Sequence, residues 1–432
     1  MSFDRRHFLK ASTSILGATT LHTVLAGCAG APAIGGARPK VVVVGAGFGG
    51  ATFVRYLKRW SPQADITLIE ANGEFLSCPL SNMVLAGINT MEDITLPYDG
   101  VRRAVDDFVQ DTVVSIDTGK RKLLTQSGNS FSYDKLILCG GVELMPESIS
   151  GYDEFAQRSI KHAWKASPEE TGVLRRQLEA MADGGTFVIT VPMAPYRCHP
   201  APYERACLVG HYFKHAKPKS KIIILDSNPD ITAMKGLFLS AWKKHYNGMI
   251  EWRSHNAPRR VGSRKMEIST DFDDVKGDVI NIIPPMRAAK ICALAGVRGG
   301  ADGKDGAWCA VDYRSFESSM QKDVHILGDS AHTPFQKAGS VANNTAKLCA
   351  YALSEQFAGR SVDPAPVLTN SCYSASTDST AFHVATVFRW NDEKKTMLPE
   401  KNANGVSNEE SELEFAYMES WTKNIWADTL GL

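Results

Sequence analysis

The stretch KVVVVGAGFGGATFVR, residues 40–55, decides the fold of this chain. Its four valines predict a buried parallel strand, and Gly45, Gly47 and Gly50 follow in G-x-G-x-x-G spacing. Such glycines provide a tight turn, close approach of the backbone to a pyrophosphate, and close packing of helix on strand. The N-terminus of the next helix then offers free N–H groups and a positive dipole end to phosphate.

The residues after this motif support a dinucleotide site. Residues 65–69 predict a second strand, which ends in Glu70, where a carboxylate accepts hydrogen bonds from a ribose 2′-OH. The alternative is a strand that ends in an acidic residue by chance. Because strand, glycine turn, helix and acid follow one another in the expected order, we predict a dinucleotide-binding domain.

Length and composition bound the other possibilities. A chain of 432 residues is too long for a single core, so two or three domains are expected. Hydrophobic residues make up 44% and charged residues 22%, as in ordinary globular proteins, and the net charge of +1 argues against a nucleic-acid partner. No stretch in the body of the sequence is long and apolar enough to span a bilayer.

The first thirty residues predict a targeting segment. The sequence RRHFLK, residues 5–10, is a twin-arginine pattern, and a weakly apolar stretch follows it. This signal predicts periplasmic localisation. The sequence LAGC, residues 25–28, resembles a lipobox, in which Cys28 would carry a lipid that holds the protein to a membrane. Ordinary cleavage within residues 29–33 is the alternative.

Two later segments identify the dinucleotide as FAD. The strand YDKLILCGG, residues 133–141, ends in glycines that include Gly140 and resembles the second dinucleotide contact of two-dinucleotide flavoproteins. The strand VHILGD, residues 324–329, ends in Gly328 and Asp329, the usual place for an aspartate on the ribityl chain of FAD. The alternative is a generic strand and turn.

A helix follows the second of these segments. Lys337 and Gly339 open it, and its N-terminus is expected to face the flavin. The predicted fold is therefore α/β, with two Rossmann-like domains of a two-dinucleotide-binding flavoprotein and a smaller C-terminal interface domain. The predicted limits are a signal over 1–30, an FAD-binding domain over 38–150 and 275–356, a second Rossmann-like domain over 151–274, and a C-terminal domain over 357–432.

The second Rossmann-like unit lacks the glycines of a nicotinamide site. Where they would follow the strand, the sequence reads VPMAPYRC, residues 191–198. Prolines and large side chains there block the backbone approach that a pyrophosphate needs. We therefore expect no NAD(P)H partner.

Nine cysteines make disulfides available to an exported chain. Three lie in apolar runs and are predicted to be small core residues: Cys139, Cys292 and Cys349. Five others need explanation: Cys78, Cys198, Cys207, Cys309 and Cys372. No C-x-x-C-H motif occurs, so the chain attaches no c-type haem itself, and no metal site is predicted.

Five segments distributed over the chain resemble one family. They are EANGEFLSCPLSN (70–82), APYRCHPAPYERA (194–206), IPPMRAAK (283–290), WCAVDYRSFESS (308–319) and NSCYS (370–374). Together they resemble the flavoprotein subunit of flavocytochrome c sulfide dehydrogenase, from the signal to the C-terminus. The related sulfide:quinone reductases share the fold but lack the first of these cysteine positions.

The resemblance implies a cysteine chemistry at the flavin. It implies a covalent bond from Cys78 to the flavin 8α-methyl group, although Pro79 stands where the family commonly has an aromatic residue. It also implies a redox-active disulfide between Cys198 and Cys372 next to the flavin. A free or otherwise paired Cys78 and a purely structural disulfide, worth roughly 5 kcal/mol by chain entropy, are the alternatives. Cys207 and Cys309 are rival partners for these pairings.

Glu204 stands six residues after Cys198 in the first turn of a predicted helix. In the family the matching glutamate is a base, and the resemblance implies the same here. The alternative is an acid favoured only by the helix dipole. His199 either promotes the Cys198 thiolate or is a solvated loop histidine, and Arg205 is read as a salt-bridge partner.

These features predict an exported FAD enzyme that oxidises sulfide to zero-valent sulfur. Its electrons are expected to pass to a separate c-type cytochrome subunit, with Trp421 and Trp426 at the docking surface or else in the core. One rival is a membrane-associated sulfide:quinone reductase that docks through an amphipathic segment at residues 413–426. The other is a non-catalytic, flavin-bearing accessory protein of sulfur oxidation.

Overall fold

The computed structural model describes residues 38–299 and 306–432. The predicted export signal and the lipobox cysteine Cys28 lie outside the described residues. Residues 38–432 belong to one compact unit, so the domain limits inferred from the sequence stay predictions.

The strands of the described residues are numbered here in chain order. They are β1 (Lys40–Val44), β2 (Asp65–Glu70), β3 (Phe75–Leu76), β4 (Thr95–Leu96), β5 (Asp107–Gln110), β6 (Val113–Asp117), β7 (Lys122–Thr125), β8 (Ser130–Ser132), β9 (Lys135–Leu138), β10 (Val142–Leu144), β11 (Thr186–Val191), β12 (Lys221–Asp226), β13 (Ile250–Arg253), β14 (Arg260–Gly262), β15 (Glu267–Ser269), β16 (Asp274–Lys276), β17 (Val279–Asn281), β18 (Met286–Ala288), β19 (Val311–Asp312), β20 (Glu317–Ser318), β21 (Val324–Ile326), β22 (Val367–Ala375), β23 (Ala381–Asn391), β24 (Thr396–Pro399) and β25 (Gly405–Val406).

The α-helices of the described residues are numbered in the same way. They are α1 (Phe48–Trp60), α2 (Ser81–Ala86), α3 (Asp99–Arg102), α4 (Glu154–Ser159), α5 (Val173–Ala180), α6 (Ala201–Ala216), α7 (Lys235–His245), α8 (Lys290–Leu294), α9 (Gly339–Phe357) and α10 (Glu412–Leu430).

The first sheet is built around the valine strand β1. Its order is β19-β20-β21-β9-β1-β2-β5, and the five strands from β21 to β5 run parallel. Val41 to Val44 are buried because both faces of the sheet are covered. Val41 and Val43 share a core with α1 and α9, and Val42 and Val44 share one with β6 and β7. β21 pairs with β9, so the chain returns to this sheet after building another one, as the segment 324–329 predicts.

The second sheet is parallel throughout, in the order β13-β12-β11-β17. The helix that follows β11 is α6, which begins at Ala201 and has Glu204 in its first turn, as predicted. Pro200 caps it and Pro202 lies in its first turn, where the missing N–H of proline has no helical partner to lose.

The C-terminal region is an antiparallel sheet followed by a long helix. β22, β23 and β24 pair in order, and β25 pairs with β23. Ser411 caps α10 by accepting a hydrogen bond from the Glu414 N–H at 3.1 Å. The fold is thus the predicted α/β fold, with two parallel Rossmann-like sheets and a smaller C-terminal region.

Candidate active site

One cavity of about 1140 Å³ receives most of the predicted site residues. It exceeds the roughly 300–1,000 Å³ of ordinary small-molecule pockets. The carboxyl ends of β1, β2, β9 and β21 border it, as expected for the ligand crevice of an open α/β sheet. The predicted residues that line it are Gly45, Gly47, Glu70, Cys78, Gly140, Cys198, Glu204, Gly328, Asp329, Gly339 and Cys372.

The glycine turn has the geometry that its spacing predicts. Gly45 has a φ of 97°, in the left-handed region where glycine is favoured. A Cβ on Gly50 would lie 1.8 Å from the carbonyl oxygen of Gly45, so helix and strand pack too closely for any side chain. Around Gly47 nothing lies within 4 Å of a Cβ position, which leaves the backbone open toward the cavity.

Glu70 closes the turn from the neighbouring strand. Its Oε2 accepts a hydrogen bond from the Ala46 N–H at 2.6 Å, and its Oε1 accepts two from Asn72. The carboxylate is 8% exposed and borders the cavity. Its predicted contact with a ribose hydroxyl stays a prediction.

Asp329 is the buried acid of the returning strand. Among the described residues its Oδ1 has no hydrogen-bond partner, and burial raises the pKa of this carboxyl. An unpaired buried acceptor is costly unless a donor reaches it. A ligand that carries hydroxyl groups supplies such donors.

Lys337 lies two residues before α9 and is held by the backbone around Asp329. Its ammonium donates to the carbonyls of Asp329 and Ala331, each at 2.8 Å, and lies 3.7 Å from the centre of the Trp308 ring. It does not border the cavity, because these carbonyls hold the side chain behind the wall. The cofactor contact expected of Lys337 stays a prediction.

Cys78 lies on the cavity wall in the loop between β3 and α2. Its carbonyl accepts hydrogen bonds from the N–H and the Oγ of Ser81, at 3.0 and 2.7 Å. Beside it, Ser77 accepts a hydrogen bond from Trp426 Nε1 at 2.9 Å, which ties the loop to α10. The thiol is free and partly exposed toward the cavity.

Cys198 and Cys372 come from distant parts of the chain to the same cavity. Cys198 has a φ of 60°, a strained conformation for a residue with a side chain, and its N–H donates to the Lys337 carbonyl at 2.7 Å. Cys372 lies on β22. Both are free thiols in this structure, and the charge of Cys372 contributes to raising the pKa of Cys198. The disulfide between them stays a prediction.

Both thiols resist ionisation in this site. Burial is the main cause: it raises the pKa of Cys372 to about 12 and the pKa of Cys198 well above its ordinary value. Since a thiolate is the reactive form, a proton acceptor is needed next to them.

Glu204 is that neighbouring acceptor. Its Oε1 accepts from the Ala375 N–H at 3.0 Å and its Oε2 from Asn82 Nδ2 at 2.7 Å. Burial raises its pKa, while these hydrogen bonds oppose the rise. A carboxylate with a raised pKa beside two thiols has the properties of a general base or acid.

Arg205 was expected to form a salt bridge, and its contacts are different. It is 2% exposed and donates to Asn82 Oδ1 at 2.9 Å, to Asn281 Oδ1 at 2.7 Å, and to the carbonyls of His162 and Ala163. Asn82 thereby links the Arg205 cation to the Glu204 carboxylate. The sequence does not single out Asn82 as a site residue, although Asn82 is the last residue of the family-like segment 70–82.

His199 matches neither expected role, that of a group that promotes the Cys198 thiolate or that of a solvated loop histidine. It does not border the cavity, and its ring packs 4.8 Å from that of Tyr196. Burial, with the charge of Lys337, lowers the pKa of His199 to about 4, so the imidazole is neutral and supplies no positive charge to Cys198.

The other cysteines lie mostly in the core. Cys207 accepts a hydrogen bond from Trp242 Nε1 at 3.2 Å, and Cys292, Cys309 and Cys349 are likewise buried. Cys139 differs from the prediction, because it is partly exposed and borders the cavity behind Gly140.

Trp421 and Trp426 are both half-buried on α10. Trp421 borders the cavity and packs 5.7 Å from Tyr373. Among the described residues, no helix has the length and apolar character needed to cross a membrane.

Three family models match the chain. "Pyridine nucleotide-disulphide oxidoreductase" matches residues 39–178. "Sulfide dehydrogenase (flavocytochrome c) flavoprotein chain, central" matches residues 171–284, and "Flavocytochrome c sulphide dehydrogenase, flavin-binding" matches residues 364–430. The matches include strands of both sheets and the C-terminal region, and they leave residues 285–363 unmatched.

Known proteins are similar over much of the chain. The mitochondrial sulfide:quinone oxidoreductase of Mus musculus is 23% identical over 359 residues, 77% of this chain and 73% of that one. The sulfide-quinone reductase of Aquifex aeolicus is 31% identical over 267 residues, 59% of this chain and 60% of that one. A sulfide dehydrogenase (flavocytochrome c) flavoprotein chain of Chlorobaculum thiosulfatiphilum is 49% identical over 45 residues, 10% of this chain and 94% of that sequence.

A solved structure supports the fold. The sulfide:quinone oxidoreductase of Aquifex aeolicus matches with a TM-score of 0.75 and 19% identity, over 91% of this chain and 92% of that one. Fold and site together define an FAD-dependent flavoprotein of the pyridine nucleotide-disulphide oxidoreductase class. Within that class, the chain belongs to the family of sulfide-oxidising flavoproteins that contains flavocytochrome c sulfide dehydrogenase flavoprotein chains and sulfide:quinone oxidoreductases.

The residues of the cavity fit FAD. Gly47 leaves room for a pyrophosphate at the N-terminus of α1, and the unpaired Asp329 Oδ1 suits a ribityl hydroxyl. Ala338, Gly339 and Ser340 bring the N-terminus of α9 to the same cavity, where its dipole favours negative charge on the flavin.

Proposed function

We propose that this protein is the flavoprotein subunit of a periplasmic flavocytochrome c sulfide dehydrogenase. It oxidises sulfide to zero-valent sulfur through a Cys198–Cys372 disulfide, and FAD is bound covalently through Cys78. The electrons pass to a c-type cytochrome subunit. One observation carries the proposal: Cys78, Cys198, Cys372 and Glu204 all border a single cavity that fits FAD.

The disulfide supplies an electrophilic sulfur for the substrate. Hydrosulfide attacks one sulfur of the pair, the bond between Cys198 and Cys372 breaks, and a new S–S bond forms to the substrate sulfur. The attacked cysteine becomes a persulfide, and the other cysteine leaves as a thiolate. FAD, when bound, supplies a two-electron acceptor beside this thiolate.

Glu204 transfers protons during this thiol–disulfide exchange. Because burial raises the pKa of both thiols, the thiolate that leaves tends to take up a proton in the cavity. Glu204 holds that proton or returns it to the thiolate. Asn82 and the Ala375 N–H keep the carboxylate in place for both tasks.

The second sheet supports the absence of NAD(P)H from this scheme. At the end of β12, where a nucleotide-binding domain offers an acid to a ribose, Asp226 is fully buried. Tyr203 and Trp252 donate to its Oδ2 at 2.7 and 2.9 Å, and Asn228 donates to its Oδ1. A ribose hydroxyl has no free carboxylate oxygen to reach.

Quinone reduction is the second candidate function. The sulfide:quinone oxidoreductases among the relatives favour it, as do Leu413 and Tyr417, which are 59% and 50% exposed on α10. Glu412, Glu419 and Lys423 are exposed on the same helix, which suits a protein partner better than a lipid surface. The match of the flavocytochrome c flavin-binding model to residues 364–430 supports the cytochrome branch.

Anaerobic turnover separates the two candidates. Purified protein is mixed with sulfide and either a soluble c-type cytochrome or decylubiquinone, and reduction of each acceptor is followed. We expect fast cytochrome reduction, and reduction of the quinone alone would overturn the cytochrome assignment. Failure of sulfide to bleach the flavin would overturn sulfide oxidation and favour an accessory protein.

Variants test the cysteine assignments. After acid precipitation, the wild-type pellet should stay yellow, and Cys78→Ser should release its flavin into the supernatant. Cys372→Ser should bind FAD and lose sulfide turnover, because no disulfide remains to be attacked. Cys349→Ala, at a buried cysteine away from the cavity, is the control and should retain both properties.

A further inference from the structure

Two cations on the cavity wall have no part in the scheme above. Lys165 and Arg197 both border the cavity, together with Cys78 and Cys198. The Arg197 guanidinium donates a hydrogen bond to the carbonyl of Trp164. Trp164 directly precedes Lys165, so this bond holds the guanidinium next to the backbone that carries Lys165. The Lys165 ammonium makes no hydrogen bond or ion pair with any described residue.

The anions near Lys165 are already occupied. Glu143 is the nearby carboxylate, and it forms ion pairs with Arg287 and Arg298. Glu170, on the same wall, pairs with Lys161 and accepts hydrogen bonds from the N–H groups of His162 and Ala163, each at 2.9 Å. Asp329 also lies within the influence of the Arg197 charge, but among the described residues neither Lys165 nor Arg197 forms an ion pair with a carboxylate.

The Lys165 side chain is exposed at the cavity wall, so its charge is accessible to a ligand there. Partial desolvation within the cavity, and next the charge of Arg197, lower the pKa of its ammonium. His162 stays neutral beside it, because burial and the surrounding cations lower the pKa of its imidazole to about 3. A small anion between Lys165 and Arg197 would relieve this repulsion and gain charge-assisted hydrogen bonds.

We propose that Lys165 and Arg197 form an anion subsite that binds hydrosulfide, rather than neutral H₂S, next to the disulfide cysteine Cys198. The inference rests on the proposed oxidation of sulfide. It adds the charge state in which the substrate binds and the place on the wall where it binds. Arg197 directly precedes Cys198, so an anion held there lies beside the sulfur that it attacks.

The test uses an unreactive anion as well as the substrate. Thiocyanate is titrated into oxidised, FAD-loaded protein, and binding is followed by the change in the flavin absorption spectrum. In Lys165→Met, the thiocyanate Kd should rise roughly tenfold. Lys165→Arg keeps the charge and should bind like the wild type. Lys219→Met, at an exposed lysine between α6 and β12, is the control and should change nothing.

Steady-state kinetics provide the second readout. Lys165→Met should raise KM for sulfide by a similar factor and leave kcat nearly unchanged, because binding to the ground state is lost. Thiocyanate should compete with sulfide in the wild type. An unchanged thiocyanate Kd in Lys165→Met would overturn the subsite. So would a shifted flavin midpoint potential with unchanged anion binding, since the charge would then act on the flavin.

These outcomes are independent of the proposed function. If the wild-type protein fails to oxidise sulfide, the proposed function fails, while thiocyanate binding still reports on Lys165 and Arg197. If sulfide is oxidised and thiocyanate does not bind, only the subsite fails.

Discussion

Glu204 shows how a single residue acquires its chemistry from its surroundings. An aqueous glutamate has a pKa of about 4.3 and is a weak base near neutral pH. In this cavity burial raises its pKa, and hydrogen bonds from Asn82 and Ala375 prevent the rise from going further. The result is a carboxylate that is suited to exchange protons with the thiols of Cys198 and Cys372.

Replacing Glu204 by Gln should remove this proton transfer. The wild-type rate with sulfide should fall as pH drops through the raised pKa, because the base becomes protonated and inactive. Glu204→Gln should be slower by roughly 10²–10⁴-fold and should lose this acid limb. The measurement is the pH profile of kcat with Glu419→Gln, at an exposed position on α10, as control. An acid limb that persists in Glu204→Gln would assign the base elsewhere.

At the scale of elements, the glycine turn brings the backbone of α1 directly against the end of β1. Gly50 lies so close to Gly45 that the first turn of α1 sits against the end of the strand. This closeness puts the N–H groups of the helix N-terminus at the cavity. The cofactor contact therefore depends on the distance between two elements.

Gly50→Ala should separate these elements. The added Cβ would lie 1.8 Å from the Gly45 oxygen, so the helix must shift outward. We expect a loss of stability of about 1–3 kcal/mol from overpacking, together with weak or absent FAD in the purified protein. Flavin-to-protein absorbance and urea unfolding measure the two effects.

A second glycine gives a matched control. Gly236 lies inside α7 with nothing within 4 Å of its Cβ position. Gly236→Ala should keep its FAD and gain about 0.5–1 kcal/mol of stability. Full flavin content in Gly50→Ala would show that close packing at the turn is not required.

The elements were more predictable from the sequence than the contacts between them. Runs such as residues 40–44 and 324–329 identify strands, because hydrophobic pattern and glycine position are local properties. The direction of the Lys337 side chain and the bonding of Arg205 depend on groups that are far away in sequence, such as Asn281. The role of Asn82 could not be predicted for the same reason, since its hydrogen-bond partners lie on α6.

At the scale of the whole molecule, the C-terminal helix is fastened to the first sheet's helices by a polar cluster. Asp428 accepts hydrogen bonds from Tyr56 at 2.6 Å and Asn343 at 2.9 Å, and pairs with Lys347 at 2.7 Å. The same helix holds the loop of Cys78 through Trp426. Docking of α10 therefore affects both stability and the position of the Cys78 loop.

Asp428→Asn should loosen this attachment. Burial opposes ionisation, but the bonds from Lys347, Tyr56 and Asn343 prevail and lower the pKa of Asp428. Because the pKa of Asp428 is lower in the folded state, its ionised form stabilises the fold at any pH above the unfolded-state pKa of about 3.9. This contribution is lost as the pH falls through the folded-state pKa. Asp428→Asn should thus cost about 1–3 kcal/mol at pH 7, and the difference from wild type should shrink below pH 4.

Urea unfolding at several pH values measures this difference. Asp392→Asn, at an exposed carboxylate in the turn after β23, is the control and should cost much less. An equal loss in both variants, or a loss for Asp428→Asn that is independent of pH, would contradict the assignment.

The first turn of α6 limits how readily this protein could be engineered to use a nicotinamide nucleotide. Tyr203 occupies the Asp226 carboxylate that a nicotinamide ribose would need, and the next residue is Glu204. Putting glycines into residues 191–198 would therefore not create a pyridine-nucleotide oxidase, since the ribose acid would still be taken. Freeing Asp226 means altering the helical turn that positions Glu204. A variant designed to accept electrons from a nicotinamide nucleotide is therefore expected to oxidise sulfide less well.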